Sequence, residues 1–176
     1  LAGPRARIDQ SQNKLKMTTR SEHLLRLIAL LCFGAVGVAL VSQHVFDMPP
    51  CAWCVLQRLI YLVIGVVALV GGFGGGRVLT RLCGALAALL AVAGVAAAWY
   101  QHSVAANMLS CDQTFADRFM TGIGLEGNVP WIFGIFATCM DAKVQVLGLE
   151  YALWSLTLFM VMFFMALPVV FSRARA

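Results

Sequence analysis

Four long, almost uncharged apolar runs constrain this chain more than any other feature. They occupy residues 24–46, 52–72, 78–100 and 151–171. Each is near the roughly 20 residues that a helix needs to cross about 30 Å of hydrocarbon. Only 12% of the 176 residues are charged and 61% are hydrophobic, whereas a soluble domain is about a quarter charged. The intruding Arg26, Arg58 and Arg81 fall close to the ends of the runs, where a long side chain can reach the headgroups. The expected fold class is therefore an all-α membrane protein: a four-transmembrane-helix bundle with a long outer loop, periplasmic in a bacterium, that carries a short interfacial helix.

An even number of spans puts both termini on one side. Ten of the thirteen basic residues fall there: Arg5, Arg7, Lys14, Lys16, Arg20, Arg26, Arg77, Arg81, Arg173 and Arg175. The formal charge is +8 on that side and −3 on the other, and the positive-inside rule makes the first side cytoplasmic. The basic balance is thus a signal of topology, and nucleic acid is not an expected partner.

Residues 1–23 form a cytoplasmic N-terminal tail without apolar periodicity, of which 1–16 read as an upstream extension or disordered tail with no assigned function. The first run is longer than the apolar region of a signal peptide, and Gln43-His44-Val45-Phe46 is no small-residue cleavage site, so it reads as a retained span. The membrane domain covers 24–171, with outer loops at 47–51 and 101–150 and a short cytoplasmic tail at 172–176. Gly71, Gly72, Gly74, Gly75 and Gly76 mark an inner turn; the Lys-Ser/Thr that would complete a phosphate loop is absent. Span three, with Gly84, Ala87, Ala88, Ala91 and Gly94, is expected to be a closely packed interior helix. In the long loop, Pro130 followed by Trp131, Ile132 and Phe133 suggests a short helix lying in the interface plane.

The chemistry gathers at Pro49-Pro50-Cys51-Ala52-Trp53-Cys54, which opens span two. Prolines start a helix rather than sit inside it, so Cys51 and Cys54 belong in or beside a first turn. Unpaired N–H groups and the helix dipole favour a thiolate there, and Arg58 follows Cys54 by one turn on the same face. Cys111 and Cys139 also fall on the outer side, whereas Cys32 and Cys83 lie inside spans and read as packing residues.

Four outer thiols admit two structural disulfides, a tetrahedral zinc site built from all four sulfurs, or an electron relay by thiol exchange. A bridge across Cys-x-x-Cys closes so small a loop that it removes little unfolded-state entropy. A second Cys-x-x-Cys knuckle for zinc is missing, and an oxidising exterior disfavours free thiolate ligands. The relay is favoured. It needs an electron acceptor, and Cys54, Arg58, His44 and His102 share the depth at which a lipophilic quinone resides. Each histidine alone reads more readily as an interfacial polar residue; the coincidence with an intramembrane arginine favours the quinone.

From about 24 to 171 the chain resembles the DsbB family of quinone-coupled membrane thiol oxidoreductases. The resemblance rests on Gln43-His44-Val45 ahead of Pro50-Cys51-x-x-Cys54 and Arg58, on the separated Cys111 and Cys139, and on Leu147-Gly148-Leu149-Glu150 opening the last span. The DsbA–DsbB–quinone system keeps the bacterial periplasm oxidising. The resemblance implies an inner-membrane protein-disulfide:quinone oxidoreductase with disulfides Cys51–Cys54 and Cys111–Cys139. Cys111 is attacked by a periplasmic DsbA-like partner, Cys139 exchanges with Cys51, and Cys54 faces the quinone (ubiquinone or menaquinone) with Arg58 stabilising its charge. His102 aligns with a position near the quinone ring. Gln57 departs from a glutamate in the best-known member, which removes a counter-charge beside Arg58. Two rivals stand: a non-enzymatic membrane module whose cysteines are structural or hold zinc, and an exporter of reductant running the electrons the other way.

Overall fold

The computed structural model describes residues 4–105, 114–142 and 144–172, with side chains from Arg20 onward. Cys111 lies outside the described residues. The elements are α1 (Pro4–Val45), α2 (Ala52–Phe73), α3 (Arg77–Ser103), α4 (Phe115–Gly122), α5 (Leu125–Asn128), α6 (Pro130–Phe133), β1 (Gln145–Val146), β2 (Leu149–Glu150) and α7 (Tyr151–Val170). Among the described residues four helices are long and apolar enough to cross a membrane: Arg20–Val45 within α1, then α2, α3 and α7. The chain is an all-α four-helix membrane bundle. Helical backbone continues upstream of the first apolar run to Pro4, through a stretch whose polar sequence carries no apolar period.

The turns follow from local chemistry. After α1, Asp47 adopts a left-handed φ of 49° while the Met48 N–H reaches back to the Ser42 carbonyl at 3.2 Å. A short polar side chain tolerates that conformation better than most. Pro49 and Pro50 then hold the chain extended into Cys51, whose carbonyl accepts the first helical bond of α2 from Val55. At the other end Gly75 takes φ +65° between α2 and α3.

The central core is built from Leu25, Ile28, Cys32, Ile64, Ala68, Ala87, Ala91, Phe159 and Met162. On α3 the buried positions recur every three or four residues (Gly84, Ala87, Ala88, Ala91, Gly94, Ala97, Ala98), and this small-residue face packs on α2 and α7. Its opposite face carries Leu82, Leu86, Leu89 and Val92 exposed, so α3 is packed along one side rather than enclosed.

Gly94 shows why the small residues are needed. A Cβ there would lie 2.4 Å from the ring of Phe159, which is fully buried and stacks on Tyr61 with centroids 4.1 Å apart. We expect Gly94→Ala to destabilise the bundle by about 2 kcal/mol through overpacking. Gly37→Ala, at a position with nothing within 4 Å, should be neutral. Thermal unfolding in detergent compares the two; equal midpoints would contradict the close-approach argument.

A second cluster closes the cysteine-bearing end. Cys51, Ala52, Trp53, Val55 and Leu56 pack with Ala97, Ala105, Ala116, Met120 and Phe133. Helix α4 supplies Ala116 and Met120 from one face, and a Thr114–Asp117 capping box starts it. Helix α6 begins with Pro130 at its first position, as its sequence suggests, with Trp131 exposed and Phe133 buried. β1 and β2 form a small hairpin whose turn residues, Leu147 and Gly148, have φ of 54° and 81°. Leu147-Gly148-Leu149-Glu150 therefore turns a hairpin just ahead of α7, which begins at Tyr151.

Candidate active site

The Pro-Pro turn and the long loop are stitched together by backbone bonds: Phe136 N–H and Ala137 N–H both donate to the Pro50 carbonyl, at 3.1 and 3.3 Å. Next in sequence, the Thr138 hydroxyl bonds Asp141 Oδ2 at 2.6 Å and accepts the Asp141 N–H, which closes a turn around Cys139. The result carries Cys139 to the start of α2. Cys51 is fully buried, its sulfur lies 3.1 Å from that of Cys54, and Cys139 packs against the same cluster.

Three sulfurs thus meet with Cys51 in the middle. The Cys51 thiol is held well above its ordinary range, first by its hydrogen bond to Cys139, then by the one to Cys54 and by burial. Cys139 shifts down, chiefly by accepting that bond from Cys51, with help from the Trp53 backbone N–H. That N–H is one of the unpaired donors of the first turn of α2. Cys139 is therefore the more thiolate-prone of the two, suited to attack a sulfur at position 51.

Cys54 lines a cavity of about 650 Å³ between α1, α2, α7 and the β-hairpin. Most of its wall is aliphatic, including Leu30, Val38, Leu158 and Val161; one end is polar, with Cys54, Gln57, Arg58 and Gln101. Leu30, Val38 and Val161 are 68%, 61% and 42% exposed on the bundle's outer face, so the cavity opens sideways at the depth of the spans.

Arg58 is 5% exposed, and three of its five guanidinium N–H groups have protein acceptors. It donates to Gln43 Oε1 at 2.5 Å, to the Ile132 carbonyl at 2.9 Å and to the Ala39 carbonyl at 3.2 Å, so one side chain ties α1, α2 and α6 together. Besides Cys51, Gln101 bonds Cys54: its Nε2 lies 3.1 Å from that sulfur and 3.6 Å from Cys51. Gln101 Oε1 accepts from Gln57 Nε2 at 2.6 Å, and Gln57 Oε1 accepts from the Ser155 hydroxyl at 2.6 Å.

The two outer histidines stand apart from the cavity wall. His44 Nε2 donates to the Trp131 carbonyl at 3.0 Å, and His102 Nδ1 donates to Glu150 Oε2 at 2.5 Å, joining the end of α3 to β2. The structure thus brings Cys51, Cys54, Cys139 and Arg58 to one place and leaves His44 and His102 as ties of the loop region. Gln101, Gln57 and Ser155 are the site residues whose part sequence reasoning does not assign. The signal available for two of them is an amide at buried depth near a cysteine, which many packed helices share.

A thiol cluster at the rim of a membrane bundle, with one sulfur on a lateral apolar cavity, defines a membrane protein built for thiol chemistry at the bilayer. Comparison with known proteins narrows that class. The family model described as "Disulfide bond formation protein DsbB" matches residues 21–169. A protein named "Disulfide bond formation protein B 1" from Pseudomonas savastanoi pv. phaseolicola is 32% identical over 141 residues, 80% of this chain and 83% of that protein. "Disulfide bond formation protein B" from Ralstonia nicotianae is 33% identical over 159 residues, 89% of this chain and 98% of that protein. The chain belongs to the DsbB family.

Proposed function

We propose that this chain is an inner-membrane thiol–disulfide oxidoreductase that reoxidises a periplasmic DsbA-like dithiol protein and passes the electrons to a membrane quinone. One observation supports it above all: the Cys51 sulfur lies 3.1 Å from Cys54, on the cavity wall, and Cys139, on the loop, packs against the same cluster. A sulfur so placed can exchange partners without moving far. Relatives named as disulfide bond formation proteins support the disulfide-forming role.

A thiolate of the partner attacks Cys111 of a Cys111–Cys139 disulfide, and the partner's second thiol resolves the mixed disulfide. The partner leaves oxidised and Cys111 and Cys139 leave as thiols. The Cys139 thiolate then attacks Cys51 of a Cys51–Cys54 disulfide and releases Cys54 as a thiolate. Cys111 attacks Cys139 in turn, which restores the loop disulfide and frees Cys51. Quinone, when bound, accepts the two electrons and two protons of the Cys51–Cys54 dithiol as that disulfide re-forms. The cavity suits such a group: an aliphatic body for an isoprenoid tail, a polar end with amide donors, and Arg58 supplying positive potential beside Cys54. His44 and His102 hold the loops that frame this end. The basic side of the bundle lies in the cytoplasm and the cysteine end in the periplasm.

The test uses purified protein in lipid nanodiscs, a reduced DsbA-like partner, and ubiquinone or menaquinone followed by stopped-flow absorbance. Loss of one quinone per partner oxidised is expected, with one quinone type faster. Zinc released by a chelator, with quinone absorbance unchanged by reduced partner, would favour a non-enzymatic module instead.

A further inference from the structure

Behind Cys54 runs a continuous chain of polar side chains through an otherwise apolar bundle. Tyr61 lies two turns along α2 from Cys54, and its hydroxyl is 2.9 Å from Ser155 Oγ on α7. The Ser155 hydroxyl bonds Gln57 Oε1, the Gln57 amide bonds Gln101 Oε1, and the Gln101 amide bonds the Cys54 sulfur. Three helices contribute, and both glutamines are buried. Buried polar groups within a membrane are costly, and such a set is retained where it does something.

The chain has a direction. An amide oxygen can only accept, so Ser155 must give its single hydroxyl proton to Gln57 Oε1. Gln57 then presents its NH2 to Gln101 Oε1, which leaves the NH2 of Gln101 facing the sulfur. The Tyr61 hydroxyl has one proton and two acceptors on Ser155, Oγ at 2.9 Å and the backbone carbonyl at 3.1 Å; Ser155 Oγ, its own proton spent, can only accept it. From Ser155 onward every link thus donates toward Cys54, and aligned bonds polarise one another. The end of the chain offers a hydrogen to the Cys54 sulfur, a bond that a thiolate accepts more strongly than a thiol does. Arg58, committed to Gln43, Ala39 and Ile132, supplies charge nearby but not this bond.

We propose that Gln101 and Gln57, backed by Ser155 and Tyr61, are positioning residues that hold Cys54 as a cavity-facing thiolate. This rests on the reading of Cys54 as the sulfur that meets the electron acceptor. The titratable and charged groups around that sulfur are Arg58 and Tyr61 on α2, Tyr151 on α7, and Cys51 and Cys139 at the loop junction. From α3 only the amide of Gln101 bonds it. No carboxylate takes part in the chain.

The experiment follows the pH dependence of N-ethylmaleimide addition to Cys54 by peptide mass spectrometry, in nanodisc protein carrying Cys51→Ala throughout. Gln101→Leu removes the last donor. Gln57→Met removes, without adding a charge, the donor that fixes the Gln101 amide, which is then free to turn its oxygen to the sulfur. Both should raise the midpoint by about one pH unit, a tenfold loss of thiolate below it. Tyr61→Phe keeps the ring stacked on Phe159 and should raise it by a few tenths, since it removes only the far end of the chain. An unmoved midpoint in the glutamine variants overturns the proposal. Where those fail to fold, Tyr61→Phe decides in the same way. Quinone reduction is measured separately on protein with all its cysteines. Shifted midpoints with no quinone reduction by that protein would sink the acceptor reading and leave the glutamine chain standing; quinone reduction with unmoved midpoints would do the reverse.

Discussion

Cys54→Ser is expected to lose quinone reduction by about a thousandfold or more while the protein remains folded and completes at most one exchange with its soluble partner. A serine hydroxyl stays protonated and forms no disulfide, so the cavity wall loses its electron-donating atom. The same change removes the neighbour that competes with Cys139 for Cys51, whose sulfur lies 3.1 Å from Cys54. A Cys51–Cys139 disulfide should therefore accumulate. Mass mapping of non-reduced peptides would reveal it, and stopped-flow absorbance would read the quinone. Cys111→Ser provides the contrast: reaction with the partner should disappear, while chemically reduced Cys51 and Cys54 still bleach quinone. Wild-type quinone turnover by the Cys54→Ser protein would remove Cys54 from the terminal position and with it the proposed electron path.

The four spans are legible because bilayer thickness imposes a minimum length of apolar sequence, and, the start of α1 at Pro4 apart, helix ends fall within a few residues of those runs. The start of α2 is equally plain, since Pro49 and Pro50 leave few other options before Cys51. Hydropathy does not carry the rotation of each helix about its own axis, and polar pairing inside the bundle depends on that rotation. Helical spacing alone places Arg58 beside Cys54. That Gln43, Ala39 and Ile132 occupy its donors, and that Gln101 reaches the sulfur in its stead, depends on residues 15 to 74 positions away from Arg58 or Cys54. Glu150, the partner of His102, is 48 positions distant and belongs to a hairpin with a weak sequence signal. Such turns favour Asn-Gly or Asp-Gly, and here a leucine takes the first left-handed position. The meeting of Cys139 with Cys51 depends on two loop N–H groups finding one proline carbonyl. No periodicity encodes that.

Arg58→Ala is expected to damage both fold and turnover, for two separable reasons. The buried guanidinium satisfies Gln43 Oε1 and the carbonyls of Ala39 and Ile132 at once. Alanine leaves these acceptors without their donor in a poorly hydrated site, and a destabilisation of about 3 kcal/mol is in the range for such losses. The bond to Ile132 also holds α6, and α6 leads directly into the segment that carries Cys139 to Cys51. Thiol exchange between the loop and α2 should slow as that segment loosens. The second reason is electrostatic: the cavity loses its fixed cation beside Cys54, so quinone KM should rise about tenfold or more. Arg58→Lys separates the two effects. An ammonium keeps the charge but lacks the planar fork that reaches three acceptors on two other elements. Quinone KM should then recover largely, while the thermal midpoint and the rate of Cys51–Cys139 exchange stay depressed. If Arg58→Lys restored all three together, charge alone would explain the residue, and the tie between α1, α2 and α6 would carry no part of the function. If Arg58→Ala changed none of them, both roles would fall.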